Sequence, residues 1–131
     1  MIVVDASAMV EALVGRAPEE ALLNALSGDV AAPHLLDVEV LSVLRGLLRG
    51  GKLDAPRADQ ARLDHFAFNI TRHETAPLAD RIWQLRHRFT SYDASYLALA
   101  EALQTPLYTC DSKLATGGHN ATIHLVAQTT D

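Results

Sequence analysis

Short apolar runs separated by helical patterns limit most strongly the folds that this chain can adopt. Strand-like runs occur at 2–4, 30–32, 70–72, 107–110 and 123–126, and at least one helical segment separates each run from the next. The first run, Ile2-Val3-Val4, has no polar alternation, which is typical of a strand buried on both faces. Parallel strands need crossover connections, which helices usually supply. The order of segments therefore predicts an α/β fold with a short, mostly parallel central sheet flanked by helices.

The helical segments end at recognisable stop signals. Gly15, the Gly50-Gly51 pair and Pro106 each follow an amphipathic or apolar run, as expected where a helix terminates. The segment 77–88 is predicted as one helix that turns Ile82, Trp83 and Leu85 toward the core. A further short helix is expected at 112–115.

Composition excludes several classes of protein. The 131 residues are 49% hydrophobic and 21% charged, which is typical of a single folded domain covering 1–131 and not of a disordered chain. Cys110 is the only cysteine, so an intrachain disulfide is impossible. Because the first residues form neither a signal peptide nor a membrane span, we expect a cytoplasmic protein with no membrane partner. The net charge of −5 disfavours a general basic surface for nucleic acid but leaves room for a local basic patch.

Four acidic residues stand out by their positions. Asp5 and Asp111 follow strands directly, whereas Glu39 and Asp93 interrupt apolar helix faces. Helix capping explains Asp5 and Asp111 individually, and Asp93 suits the first turn of a helix. Glu39 is harder to explain alone, because an acid among leucines must be paired, ligated or neutralised.

Together the four acids suggest a metal site. Acids at the carboxyl ends of neighbouring parallel strands meet in one crevice, and helices above it can add Glu39 and Asp93. Four carboxylates so close would repel each other unless a cation neutralised them, and oxygen ligands of this type suit Mg²⁺ or Mn²⁺.

Three stretches resemble the PIN-domain ribonucleases, in particular the VapC-type toxins of type II toxin–antitoxin modules. They are "IVVDASAMVEAL", "PHLLDVEVLSVLRGLLRGGKL" and "SYDASYLALAEALQTPLYTCDSKLA", which together extend to about Ala115. The resemblance implies a PIN-like three-layer sandwich and a Mg²⁺-dependent endoribonuclease, with Mn²⁺ as an alternative ion. It also implies an RNA substrate, inhibition by a cognate antitoxin protein, and a homodimer.

Carried over by position, the family's acidic site falls on Asp5, Glu39, Asp93 and Asp111. Ser7 and Thr109 match hydroxyl positions that support the first and last aspartates. Asp5, Asp93 and Asp111 are the expected ligands, direct or through water, while Glu39 either completes the shell or orients a water as a base. The tail after residue 115 departs from the family pattern, because it offers no further acid near the site and a second metal ion would have fewer ligands. One-metal and two-metal chemistry both stay open.

Local cations would provide the affinity for RNA, although a solvated helix face explains each of them individually. The candidates follow the Glu39 helix, lie in "RIWQLRHR" or stand beside Asp111: Arg45, Arg49, Lys52, Arg81, Arg86, Arg88 and Lys113. Apolar faces for dimerisation or antitoxin docking are expected on 17–26 and 35–48, which contain more leucines than one buried face needs: Leu22, Leu23, Leu44, Leu47 and Leu48.

Two other functions compete with the ribonuclease hypothesis. An aspartyl-phosphate phosphatase or receiver-like domain also places aspartates at strand ends, but Asp5 is followed by Ala6 instead of a second acid. A metal-free protein-binding module of PIN-like fold would use the four acids only as helix caps. Clustered carboxylates should gain thermal stability from Mn²⁺, whereas dispersed caps should not.

Overall fold

Five parallel strands form one sheet in the order β3-β2-β1-β4-β5. The computed structural model describes residues 1–130, and the α/β prediction is confirmed. The strands are β1 (Ile2–Val4), β2 (Val30–Pro33), β3 (Ile70–His73), β4 (Leu107–Thr109) and β5 (Ile123–Leu125). The helices are α1 (Ala6–Val14), α2 (Glu20–Leu26), α3 (Leu35–Arg49), α4 (Ala55–Ala67), α5 (Ala79–Gln84) and α6 (Ser91–Leu103). Single 3₁₀ turns occupy Ala76–Leu78 and Ser112–Ala115.

Helices cover both faces of the sheet. On one face α1 packs against α3 and α4, and on the other α6 lies over β1, β2 and β4 with α5 on its outer side. Every residue of β1 is buried, as its uninterrupted β-branched run predicts, and every residue of β2 is buried as well. The largest fully buried side chains include Met9, Leu36, Leu97 and Leu107, which come from both helical layers and the sheet. The three layers therefore share one apolar core.

The direction of the chain changes between β1 and β4. From β1 the chain goes on to β2 on one side, whereas from β4 it goes on to β5 on the other side. In parallel α/β sheets the carboxyl edge at such a switch forms the usual binding crevice. Asp5 and Asp111 follow the two strands at this switch.

The segment around Trp83 differs from its prediction. Instead of one helix over 77–88, a 3₁₀ turn precedes α5, which ends at Gln84. Leu85 is buried and Ile82 half-buried, but Trp83 is 66% exposed, so its inward placement was wrong. Ile82 and Leu85 share one helix face, whereas Trp83 is rotated away from it and contacts the Arg86 guanidinium 4.7 Å from its ring centre.

Among residues 1–130, no helix is long and apolar enough to cross a membrane.

Candidate active site

Asp5 begins the site at the carboxyl end of β1. It is the N-cap of α1 and is 7% exposed, and its Oδ1 accepts hydrogen bonds from the Ala8 N–H at 3.0 Å and the Ser7 hydroxyl at 2.7 Å. Its Oδ2 accepts a hydrogen bond from the Thr109 hydroxyl. A carboxylate has about four acceptor positions, so Asp5 retains roughly one, on Oδ2. The capping role and a place in the site are therefore compatible.

Two hydroxyls join the chain after β1 to the chain after β4. Thr109 Oγ1 donates to Asp5 and accepts the Asp111 N–H at 3.0 Å, while Ser7 Oγ accepts the Cys110 N–H at 2.9 Å. The resemblance associates Thr109 with the last aspartate, but its side-chain contact is with the first, and it reaches Asp111 only through the backbone. Both hydroxyls consequently support Asp5.

Glu39 comes from the early part of α3 and is half-buried. Its Oε1 accepts a hydrogen bond of 2.6 Å from the hydroxyl of Tyr96 on α6. Two residues earlier, Asp37 is bonded through both oxygens to the Arg72 guanidinium at 2.8 and 3.0 Å and also contacts His65 Nε2 at 2.8 Å. Side-chain hydrogen bonds thus connect the start of α3 to α6 through Glu39, and to β3 and α4 through Asp37.

Asp93 and Asp111 complete the acidic group. The N-cap of α6 is Thr90, whose hydroxyl accepts the Asp93 N–H at 3.1 Å, and the half-buried Asp93 carboxylate lies in the first turn of that helix. Asp111 Oδ1 accepts the Lys113 N–H at 3.0 Å, and the Lys113 ammonium lies 3.8 Å from Oδ2. The Lys113 side chain is 75% exposed, which leaves it able to reach a ligand in solvent.

The four acids influence each other electrostatically. Burial is the largest cause that raises the pKa of Asp5, Glu39 and Asp93. Repulsion between the carboxylates raises these pKa values further. The charge of Asp93 raises the pKa of Asp5, the charges of Asp5 and Asp93 raise that of Glu39, and the charge of Asp111 raises that of Asp93. Hydrogen bonds from Ser7 and Thr109 to Asp5, and from Tyr96 to Glu39, favour the ionised forms and oppose the shift. The sheet edge is therefore a site of concentrated negative charge that favours a proton or a cation.

The donor set fits a hard cation, although the side chains do not enclose one as they stand. Within residues 1–130, no three acidic, histidine or cysteine side chains are already arranged to hold a metal ion. The donors are nevertheless carboxylate oxygens, which Mg²⁺ and Mn²⁺ prefer. Asp5 keeps one acceptor position, and in the described part of the chain Glu39 Oε2 has no hydrogen-bond donor. Repelling, partly buried carboxylates with unused oxygens are suited to share such an ion.

The candidate RNA-binding cations differ in availability. Arg81 forms a two-pronged ion pair with Glu101 on α6, at 2.7 and 3.0 Å, so it has a structural role. Arg88 packs against Gly118, where an added Cβ would lie 2.7 Å from Arg88 Cδ. Lys113 is the cation adjacent to the acids.

Tyr96, which sequence reasoning did not assign to the site, could have been noticed because it lies one helical turn after Asp93.

Comparisons with known proteins identify the family and the fold. The PIN domain model matches residues 2–118. Ribonuclease VapC1 of Mycobacterium tuberculosis is 44% identical over 117 residues, which are 86% of this chain and 87% of VapC1. PAE2754 from Pyrobaculum aerophilum has a similar structure, with a TM-score of 0.70, 26% identity, and coverage of 93% of this chain and 81% of that one. VapBC2 from Rickettsia felis, solved with a promoter DNA fragment, shares the fold with a TM-score of 0.66, 17% identity, and coverage of 95% and 98%. The chain belongs to the PIN-domain family, among the VapC ribonucleases.

Proposed function

We propose that this protein is a metal-dependent endoribonuclease toxin that hydrolyses RNA phosphodiester bonds and is inhibited by a cognate antitoxin. The principal support is the placement of the four acids near the sheet switch: Asp5 and Asp111 follow the neighbouring strands β1 and β4, and Glu39 is hydrogen-bonded to Tyr96, one turn after Asp93 on α6. The similarity to VapC ribonucleases over most of the chain supports RNA as the substrate. The residues 1–131 act as a single PIN-like domain in the cytoplasm.

Asp5, Asp93 and Asp111 would hold Mg²⁺ or Mn²⁺ directly or through water. When bound, such an ion stabilises negative charge on phosphoryl oxygens and makes a water more acidic. Asp5 offers its remaining Oδ2 position, because its other acceptor positions are used by Ser7, Ala8 and Thr109. This network fixes the Asp5 carboxylate before any ligand arrives, which reduces the reorganisation that the reaction requires.

Glu39 is the candidate general base of the proposed reaction. Its Oε2 has no hydrogen-bond donor among residues 1–130 and could accept a proton from the attacking water, and the pKa of Glu39 is raised by burial and by the neighbouring Asp5 and Asp93. A base whose pKa is closer to neutral accepts a proton more effectively under working conditions. Lys113 would contact an RNA phosphate, because its exposed ammonium stands beside the acids.

The partner surfaces follow from the family and from exposed leucines. We infer an antitoxin partner, as the similarity to VapBC2 supports, and a homodimer. Of the leucines expected on the partner faces, Leu23 and Leu48 are 45% and 41% exposed, whereas Leu22 and Leu44 are buried in the core. The outer sides of α2 and α3 thus retain apolar surface available for a partner.

The structure disfavours the aspartyl-phosphate alternative. That alternative would need Asp5 as its nucleophile, but Asp5 is 7% exposed, is followed by Ala6 instead of a second acid, and keeps only the one Oδ2 acceptor position that the proposed metal ion would use. The metal-free module predicts that the acids serve only at helix starts, which accounts for Asp5 and Asp111 as N-caps and for Asp93 in the first turn of α6, but not for Glu39, whose Oε1 accepts the Tyr96 hydroxyl.

RNA cleavage by the full chain with Mg²⁺, with Mn²⁺ and with EDTA tests the proposal. We expect metal-dependent cleavage that falls at least about 100-fold in Asp5→Asn and Asp93→Asn, because each variant removes a charge from the site. Asp29→Asn is the matched control, since this exposed aspartate precedes β2 at the opposite edge of the sheet. Full activity in either site variant, or undiminished cleavage in EDTA, would show the assignment to be wrong.

A further inference from the structure

Tyr96 is the side chain that joins Glu39 to the helix of Asp93. It is 2% exposed and lies one turn after Asp93 on α6, so both side chains point to the same end of the site. Its hydroxyl donates to Glu39 Oε1 at 2.6 Å. This contact connects residues 57 positions apart, on helices that belong to opposite faces of the sheet.

The hydrogen bond from Tyr96 gives the two carboxylate oxygens of Glu39 different roles. The hydroxyl of a buried tyrosine needs a hydrogen-bond acceptor. A carboxylate is a strong acceptor, because its hydrogen bond is short and charge-assisted. With Oε1 engaged, Oε2 is the oxygen left for a ligand or a water. The backbone that carries Glu39 is held separately, because Asp37 is fixed by Arg72 and His65 on the other side of α3. Tyr96 therefore restricts the one part of Glu39 that would otherwise rotate, its carboxylate.

We propose that Tyr96 is a positioning residue of the ribonuclease site, which holds Glu39 Oε1 so that Oε2 alone faces the reacting groups. The inference rests on the proposed function and adds to it the group that orients the candidate base. Tyr96 is not expected to touch RNA, because it is buried behind Glu39. Its loss should consequently change kcat and metal affinity without changing the KM for RNA.

Tyr96→Phe tests the inference, because it removes one hydroxyl and keeps the ring. Partners that orient metal-site groups typically contribute about 10–100-fold to activity or metal affinity. We expect kcat to fall about 10-fold or more and the Mn²⁺ dissociation constant, measured by calorimetry without RNA, to rise about 10-fold. Tyr108→Phe is the control, since the half-buried Tyr108 ring stacks on His124 and its hydroxyl has no hydrogen-bond partner in the described part of the chain.

A double-mutant cycle with Glu39→Gln distinguishes positioning from a general effect on folding. If Tyr96 acts through Glu39, Tyr96→Phe reduces kcat in the wild-type background and has little further effect in the Glu39→Gln background. A purely structural role would reduce kcat by the same factor in both backgrounds, which would overturn the inference. So would a Tyr96→Phe variant whose kcat and Mn²⁺ affinity stay within about twofold of wild type while the wild-type enzyme is active. An inactive wild-type chain that binds no Mn²⁺ would instead overturn the proposed function, and this inference with it.

Discussion

Thr109→Val is the most informative single substitution in the site. Thr109 is fully buried, and its hydroxyl donates to Asp5 Oδ2 while accepting the Asp111 N–H at 3.0 Å. Valine has nearly the same shape, so the change removes these two hydrogen bonds without creating a cavity. The effect on stability therefore measures the hydrogen bonding between the ends of β1 and β4.

The expected loss can be worked out from the two contacts. A hydrogen bond to a charged group contributes about 1.5–3 kcal/mol, and a buried N–H left without an acceptor costs about 1–3 kcal/mol. Burying a methyl group in place of the hydroxyl offsets about 1 kcal/mol. We expect Thr109→Val to lower the free energy of unfolding by about 1.5–5 kcal/mol in EDTA at neutral pH. The pKa of Asp5 should rise further, because one of the hydrogen bonds that favours its ionised form is lost.

Urea unfolding of wild type and variant, followed by circular dichroism, gives this difference directly. Thr71→Val is the matched control, because Thr71 lies exposed on β3 and should change stability by no more than about 0.5 kcal/mol. Thr109→Ser should recover most of the loss, since it keeps the hydroxyl. A Thr109→Val variant within about 0.5 kcal/mol of wild type would refute the conclusion that Thr109 supports Asp5.

Four further predictions concern charge and packing. In EDTA, Asp93→Asn should unfold at a urea concentration equal to or higher than wild type, because it removes repulsion with Asp111, and marked destabilisation would favour a purely structural role. Asp5, Asp93 and Glu39 have higher pKa values in the folded protein than in the unfolded chain, where the pKa is 3.8 for aspartate and 4.5 for glutamate. Their contribution to stability is therefore complete at a pH below the unfolded-state pKa values, and it is lost as the pH rises through the folded-state pKa values. Mn²⁺ should accordingly raise the melting temperature more at about pH 7.5 than at about pH 5.5, and a pH-independent shift in calorimetric scans would contradict this. Gly15→Ala should lower the free energy of unfolding by about 1–3 kcal/mol, because its Cβ would lie 2.2 Å from Oε2 of the fully buried Glu11. Gly46→Ala, in open space on α3, should raise it by about 0.5–1 kcal/mol in the same urea assay.

Local signals in the sequence were sufficient for the strands, most helix ends and the parallel sheet. The uninterrupted run of β1, the acid at its end and the threonine before α6 act over a few residues, so a reader of the sequence can recognise them. The failure at Trp83 also has a local origin, since no residue of the six-residue α5 is fully buried, and Trp83 lies off the side that the half-buried Ile82 and the following Leu85 turn toward the core. An apolar side chain in a helix was therefore not enough to predict burial.

The sequence by itself determined the alternation of strands and helices. It also determined that acids stand at strand ends and on apolar helix faces. Both are local properties, because periodicity and capping involve residues three or four positions apart. Only the tertiary structure decided that β1 and β4 are neighbours, that Thr109 donates to Asp5 rather than to the side chain of Asp111, and that Tyr96 reaches Glu39. These contacts join residues 104 and 57 positions apart, and no local pattern encodes them. They exist because the order of the strands brings the early parts of α3 and α6, which lie on opposite faces of the sheet, to the same edge.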